Sequence, residues 1–351
     1  MDANGRFTRF FCYCIFIKKN TRQIQEFVSQ SLRRQIPYIF FFPLFFLLSF
    51  SFLFSFIQPT SLPNLKKIFQ FVSHTFSSGK GPYSEDVQGR KLHYEYGVHE
   101  MQGKRPYMED RHVVHGMLGG ESVSLYGVFD GHGGSQAAQY CKEKVGKAVV
   151  NAVAFPEYPK EALTTAILAV DENYLRDARK HNRDDGTTLI VAMIKGKEIT
   201  VANVGDSRAV IVKCNGAAEP LSYDHKPNSD QEKARIEALG GKVVFWGVWR
   251  VEGILAVSRA IGDRMLKRYV SAQPDFVSCT VTDDDTYMVM ASDGLWDVME
   301  NDEVGRICAK IQNSQKAAEY LTKEAFKRGS ADNICVLVVD LRTGDEDGEE
   351  E

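Results

Sequence analysis

Acidic side chains recur in this chain where an apolar run gives way to a small residue. Val123 to Phe129 ends on Asp130, and Gly131, His132, Gly133 and Gly134 follow. Asp206 stands in Val204-Gly205-Asp206-Ser207-Arg208, Asp293 and Asp297 in Ala291-Ser292-Asp293-Gly294-Leu295-Trp296-Asp297, and Asp332 in Ser330-Ala331-Asp332-Asn333. Glu109 and Asp110 follow Arg105-Pro106-Tyr107-Met108. A carboxylate at a strand end is held by the sheet, and a glycine beside it lets the backbone approach an ion closely. Asp130 could therefore bridge two hard cations, with the Gly131 carbonyl oxygen as a further ligand. Singly, each of these acids is ordinary turn chemistry. Together on one rim they would repel one another unless cations filled the space, and oxygen donors suit Mg²⁺ or Mn²⁺.

Strands must hold such acids in place. Leu92, Tyr94, Tyr96 and Val98 alternate with His93, Glu95, Gly97 and His99, the period of a half-buried strand. Arg111 to Met117, Val123 to Phe129, Thr187 to Ile194, Glu198 to Val204, Arg208 to Cys214, Thr286 to Ala291 and Ile334 to Leu341 read as further strands. Asn215-Gly216 is a hairpin signal. Gly134 to Ala154 and Lys160 to Lys180 read as helices with apolar stripes, and two more are expected near 301–311 and 315–327. Ser229 with Glu232 three residues on reads as a capping box opening a helix that ends at Gly240-Gly241. Adjacent hairpins and paired helices suit antiparallel sheets covered by helices better than a parallel βαβ sheet. There is no internal repeat.

From about Tyr94 to Leu341 the chain resembles the metal-dependent serine/threonine protein phosphatases of type 2C (the PPM family), the plant members above all. The segments that carry the likeness are Met101-Gln102-Gly103-Lys104-Arg105 with Met108-Glu109-Asp110, Phe129-Asp130-Gly131-His132-Gly133-Gly134, and Gly205-Asp206-Ser207-Arg208. Leu255 to Asp263, Ser292 to Asp297 and Asp332-Asn333 continue it in the family's order. The resemblance implies an α+β fold, a β-sandwich of two antiparallel sheets flanked by α-helices on both outer faces (four layers, αββα). It implies that Asp130 bridges two metal ions, that Gly131 ligates one through its carbonyl, and that Asp293 and Asp332 complete the protein ligands. Glu109 and Asp110 would act mainly through metal-held waters, and Asp206 with Asp293 is similar to the site of a weaker third metal. Arg105 would hold the substrate phosphate, which suits a planar guanidinium. His132 would be the general acid that protonates the leaving alkoxide.

The reaction so implied is hydrolysis of phosphoserine and phosphothreonine by a hydroxide bridging two Mg²⁺ or Mn²⁺ ions, attacking phosphorus in line. On residue type alone His132 is a capping or solvated histidine and Arg105 a surface ion pair. His112, His115 and His225 read as structural. Gly186-Thr187-Thr188-Leu189 replaces a family segment usually closer to Gly-Ser-Thr-Ala, and Cys335 stands where threonine is common; neither is an implied ligand. Phe245 to Glu252 matches the family's variable flap, where Trp246 and Trp249 either shape partner choice or simply pack.

Two other classes stay open at this point. A catalytically silent phosphoprotein- or kinase-binding module on the same fold would usually have lost an acid, whereas Glu109, Asp110, Asp130, Asp206, Asp293 and Asp332 are all present. A two-metal hydrolase of small phosphate esters or nucleotides would want a base-binding pocket, for which no feature argues. Ser207 and Ser258 lie in no nucleophile elbow, and no P-loop or dinucleotide fingerprint precedes a helix. The expected partners are phosphorylated proteins and kinases, on a monomeric enzyme.

The chain has 351 residues, of which 44% are hydrophobic and 25% charged, enough to bury a sizeable core. A net charge of −3 gives no reason to expect nucleic acid as a partner. Seven cysteines without CxxC spacing suggest a reducing compartment. Three regions are expected: an N-terminal extension (1–85) ending in a flexible linker, a catalytic domain (90–342) and an acidic tail (343–351). Gln35 to Leu65 carries no charge, and Pro37 to Ile57 within it is long and apolar enough to cross a bilayer. A membrane anchor, a cleaved signal peptide and an untranslated pyrimidine-rich leader read in frame compete for it; the basic stretch before it fits the signal peptide least. As an anchor, the excess of Lys and Arg upstream would send the catalytic domain across the membrane. That conflicts with the unpaired cysteines, so the domain is expected in the cytosol or nucleus, free or tethered through 37–57.

Overall fold

The computed structural model describes residues 94–343. The Pro37 to Ile57 segment, the linker and the acidic tail beyond residue 343 lie outside them. Among the described residues no helix is long and apolar enough to cross a membrane.

Strand β1 (Tyr96–Met101) is followed by β2 (Arg111–His115), β3 (Val123–Phe129) and the two-residue β4 (Gly131–His132). Helices α1 (Gln136–Val150) and α2 (Pro159–His181) come next. Then β5 (Gly186–Thr187), β6 (Leu189–Lys195), β7 (Glu198–Val204), β8 (Arg208–Lys213) and β9 (Ala218–Pro220) lead to α3 (Asp230–Ala238). A hairpin of β10 (Val243–Trp246) and β11 (Val248–Val251) precedes β12 (Ile261–Gly262), β13 (Asp275–Thr280) and β14 (Asp285–Ala291). The chain closes with the short α4 (Asp293–Trp296), α5 (Asn301–Ile311), α6 (Ser314–Lys327) and β15 (Ile334–Asp340).

Two five-stranded antiparallel sheets, ordered β1-β15-β14-β8-β9 and β13-β7-β6-β3-β2, pack face to face. The alternation of side chains along each strand explains why so many strands are apolar throughout. In β3, Tyr126 and Val128 enter the core between the sheets, while Leu125 and Phe129 face α1 and α2. In β15, Cys335, Leu337 and Val339 point between the sheets, and Val336 and Val338 meet α5 and α6. The result is the four-layer αββα sandwich expected from the sequence. β12, β5 and β4 form a small third sheet at one end.

Local departures from the sequence reading each have a cause. Helix α1 starts at Gln136 rather than Gly134, because Gly133 and Gly134 take positive φ of 69° and 141° to turn the chain out of β4. The strand expected over Thr187 to Ile194 breaks at Thr188, whose side chain and backbone bond Asp130. The capping box is not formed: Ser229 makes no side-chain cap, and Glu232 instead binds Arg235 and Arg259. Besides the two- and three-residue strands β4, β9 and β12, two strand regions escaped the pattern: β13, an edge strand with mostly half-exposed residues, and the β10–β11 hairpin, whose Phe245, Trp246, Val248 and Trp249 are exposed.

Candidate metal centre

Asp130 sits where β3 ends, and its backbone is clamped there. Its N–H donates to Thr188 Oγ1 at 3.1 Å, and its carbonyl accepts from the Thr188 N–H at 2.9 Å and Thr187 Oγ1 at 3.0 Å. Asp206 occupies the tight turn from β7 to β8. Gly205 makes that turn at φ 113°, and its N–H donates to His225 Nδ1 at 3.0 Å, so His225 is structural as expected. Asp293 opens α4, directly after β14. These three turns meet at one end of the sandwich, where carboxylate oxygens of Asp130, Asp206 and Asp293 all fall within 4.8 Å of one another.

Asp110 and Asp332 complete the rim. Asp110 is buried just before β2 and accepts a hydrogen bond from Ser292 Oγ at 2.7 Å. Burial first, then each other's charges, push the carboxyls of Asp110, Asp130 and Asp293 well above the usual range. Asp332 contributes to all three and is itself held by Arg105 Nη2 at 2.5 Å. Glu109 enters through its backbone: its N–H donates to Asn333 Oδ1 at 2.7 Å. A Cβ on Gly131 would lie 2.6 Å from the Glu109 carbonyl oxygen, so only glycine allows this approach.

The residues fit divalent cations. Uncompensated, so many buried acids could not all ionise, and oxygen donors in this number are what Mg²⁺ and Mn²⁺ take. Asp293 Oδ1 is buried and has no hydrogen-bond partner among the described residues, although a buried carboxylate oxygen normally has one.

His132 lies beside the rim in β4. Its Nε2 is 2.9 Å from Asp263 Oδ2. Burial alone would lower its pKa, but the charge and hydrogen bond of Asp263, with Asp206 and Asp185 behind, raise it above the ordinary value. Gly186 makes the pair possible, because a Cβ there would sit 2.0 Å from Asp263 Oδ2 and 2.5 Å from His132 Nε2.

Comparisons with known proteins place the chain in a family. The family model described as Protein phosphatase 2C matches residues 94–334. The chain belongs to the protein phosphatase 2C family. It is 44% identical over 251 residues to "Probable protein phosphatase 2C 55" of Oryza sativa subsp. japonica, covering 71% of this chain and 66% of that protein. It is 44% identical over 248 residues to "Probable protein phosphatase 2C 69" of Arabidopsis thaliana, covering 70% of each. The crystal structure of a serine-threonine phosphatase 2C from Toxoplasma gondii superimposes with a TM-score of 0.66 at 26% identity, covering 70% of this chain and 94% of that one. The matched region is thus a protein phosphatase domain of the plant type, with the sandwich its family shares. In this phosphatase 2C domain the sequence reading missed several supporting residues. Asn333 ties the 102–109 loop to β15, its side chain donating to the carbonyls of Gln102 (2.7 Å) and Tyr107 (2.9 Å). Lys226 donates to Asp206, and that carboxylate, outweighing burial, raises its pKa. Asp263 lay within a quoted motif, yet only its approach to His132 gives it a role.

Proposed function

We propose that this protein is a Mg²⁺- or Mn²⁺-dependent phosphatase of phosphoserine and phosphothreonine proteins, acting without a covalent phosphoenzyme. The observation that carries the reading is the convergence of Asp130, Asp206 and Asp293 oxygens within 4.8 Å, with Asp293 Oδ1 lacking any donor among the described residues. Divalent cations bound there would cancel the carboxylate repulsion, neutralise a phosphoryl group and make water a competent nucleophile at neutral pH. Asp130, Asp293, Asp332 and the Gly131 carbonyl would hold a cation pair, Glu109 and Asp110 would order its waters, and Asp206 would serve a weaker third ion.

The remaining steps belong to the protein. Arg105, whose side chain is 52% exposed, can swing from Asp332 to a phosphate oxygen and bind it through its fork. His132, kept charged by Asp263, protonates the departing serine or threonine oxygen. Substrates are phosphorylated proteins, kinases among them, and the domain works as a monomer on the cytosolic side. Phosphate release from a phosphothreonine peptide by the recombinant protein tests the reading. Release should require Mn²⁺ or Mg²⁺ and stop on chelation. Tight peptide binding with no release at saturating Mn²⁺ would instead make this a silent binding module.

A further inference from the structure

A second cluster of ligand atoms borders the acid rim, joined to it through Ser292 Oγ, which donates to Asp110 and accepts from the Cys335 N–H, and the phosphatase reading uses none of it. Glu100 of β1 and Cys335 of β15 are direct register partners, so their side chains share one face of their sheet. That face is the sandwich interior, where Cys335 packs with Leu337 and Val339 and where Tyr96 and Val98 of β1 also point. His112 reaches the same space from the opposite sheet, in phase with Val114 of β2. His112 Nδ1 lies 2.5 Å from Glu100 Oε1, and Cys335 Sγ lies 3.9 Å from the same oxygen. All three ligand atoms fall within 4.8 Å of one another.

This spacing is near what a tetrahedral ion needs. With bonds of about 2.0 Å to N or O and about 2.3 Å to S, neighbouring ligand atoms stand roughly 3.5 Å apart. Small side-chain rotations would open the His112–Glu100 contact and admit an ion between them. Glu100 and His112 keep 32% and 25% of their side chains exposed, whereas Cys335 is fully buried. Solvent therefore reaches the cluster from one side and can supply a fourth ligand. Thiolate, imidazole and carboxylate together select a transition ion over Mg²⁺, which takes oxygen donors.

We propose that Glu100, His112 and Cys335 form a metal site for Zn²⁺ or a similar transition ion, separate from the all-oxygen phosphatase centre. Binding displaces the Cys335 thiol proton and takes His112 as the neutral ring, with Nδ1 on the ion and the ring proton on Nε2. The thiolate and carboxylate then balance the two charges of the ion, so the half-buried site ends neutral.

Co²⁺ titration of the reduced, chelator-stripped full-length protein tests this, because a sulfur-to-cobalt charge-transfer band reports thiolate ligation and the acid rim holds no sulfur. With excess Mg²⁺ present to occupy the acid rim, we expect such a band to saturate at one ion, to be bleached by an equivalent of Zn²⁺, and to be lost in Cys335→Ser. His112→Asn and Glu100→Gln, both at partly exposed side chains, should weaken or abolish it while the thermal unfolding transition is kept. No band in the wild type, or a band unchanged in any of the three variants, overturns the proposal. The readout is independent of phosphate release, so it stands or falls apart from the phosphatase reading.

Discussion

Replacing Asp263 with asparagine removes the charge that keeps His132 protonated while leaving the side chain's shape. Burial acts on His132 most strongly and favours the neutral ring; Asp263, bonded at 2.9 Å, tips the balance the other way. Without it burial is opposed only by the more distant Asp206 and Asp185, so the imidazole pKa should drop. A facing opposite charge is worth about 1–3 pKa units, and above both pKa values each unit lost lowers the protonated fraction tenfold. For a phosphothreonine peptide, kcat/KM at about pH 8 should therefore fall roughly 10- to 1000-fold, no more than a general acid's full contribution of about 10²–10⁴-fold allows. The sign sets the pH dependence. A raised His132 pKa keeps the proton as pH climbs, whereas the variant loses it earlier, so the basic limb moves to lower pH. The deficit should shrink as pH falls toward the variant's lowered pKa, where both proteins come to hold the proton. Bound cations act on both proteins alike, so the comparison isolates Asp263. Profiles of kcat/KM against pH, on the peptide and on p-nitrophenyl phosphate, decide the matter, since nitrophenolate leaves without a proton. An unmoved basic limb, or equal losses on both substrates, would refute the argument.

Asp293→Asn removes a charged ligand whose Oδ1 has no hydrogen-bond partner among the described residues and should cost orders of magnitude in turnover; near-normal turnover at saturating Mg²⁺ would move the metal centre elsewhere. Gly186→Ala pushes a methyl group against both members of the His132–Asp263 pair and should reproduce the Asp263→Asn substrate dependence without altering cation affinity measured by calorimetry. Glu232 is buried, yet hydrogen bonds from Arg259, Arg235 and Ser258 outweigh that burial and hold its carboxyl at about 2 instead of 4.5. The stability this gives is present above the unfolded value and lost as pH falls from there toward about 2. Glu232→Gln should therefore lower unfolding free energy by about 3 kcal/mol at pH 7, by a margin that narrows below about pH 4.5 in denaturant titrations; a pH-independent margin would show that the Glu232 charge is not what stabilises.

The sequence by itself determined the layered architecture and most of the acids on the rim. Strands such as β3 and β15 are apolar on both faces because helices cover one and a second sheet the other, so they stand out as continuous runs. Carboxylates at their ends are equally legible, because a strand that stops on Asp before glycine leaves a local trace. What the tertiary structure decided is which distant groups meet. Asp263 reaches His132 across 131 positions, and Arg105 reaches Asp332 across 227. Glu232 looked like a local cap until Arg259, 27 residues away, drew it into a buried pair. Glu100, His112 and Cys335 look unrelated along the chain and converge only where the edge of one sheet faces the edge of the other. Periodicity is a local property that short-range sterics and burial impose, whereas sheet order and packing set the meeting of strand ends. A carboxylate's partner, and hence its charge and its chemistry, follows from that packing.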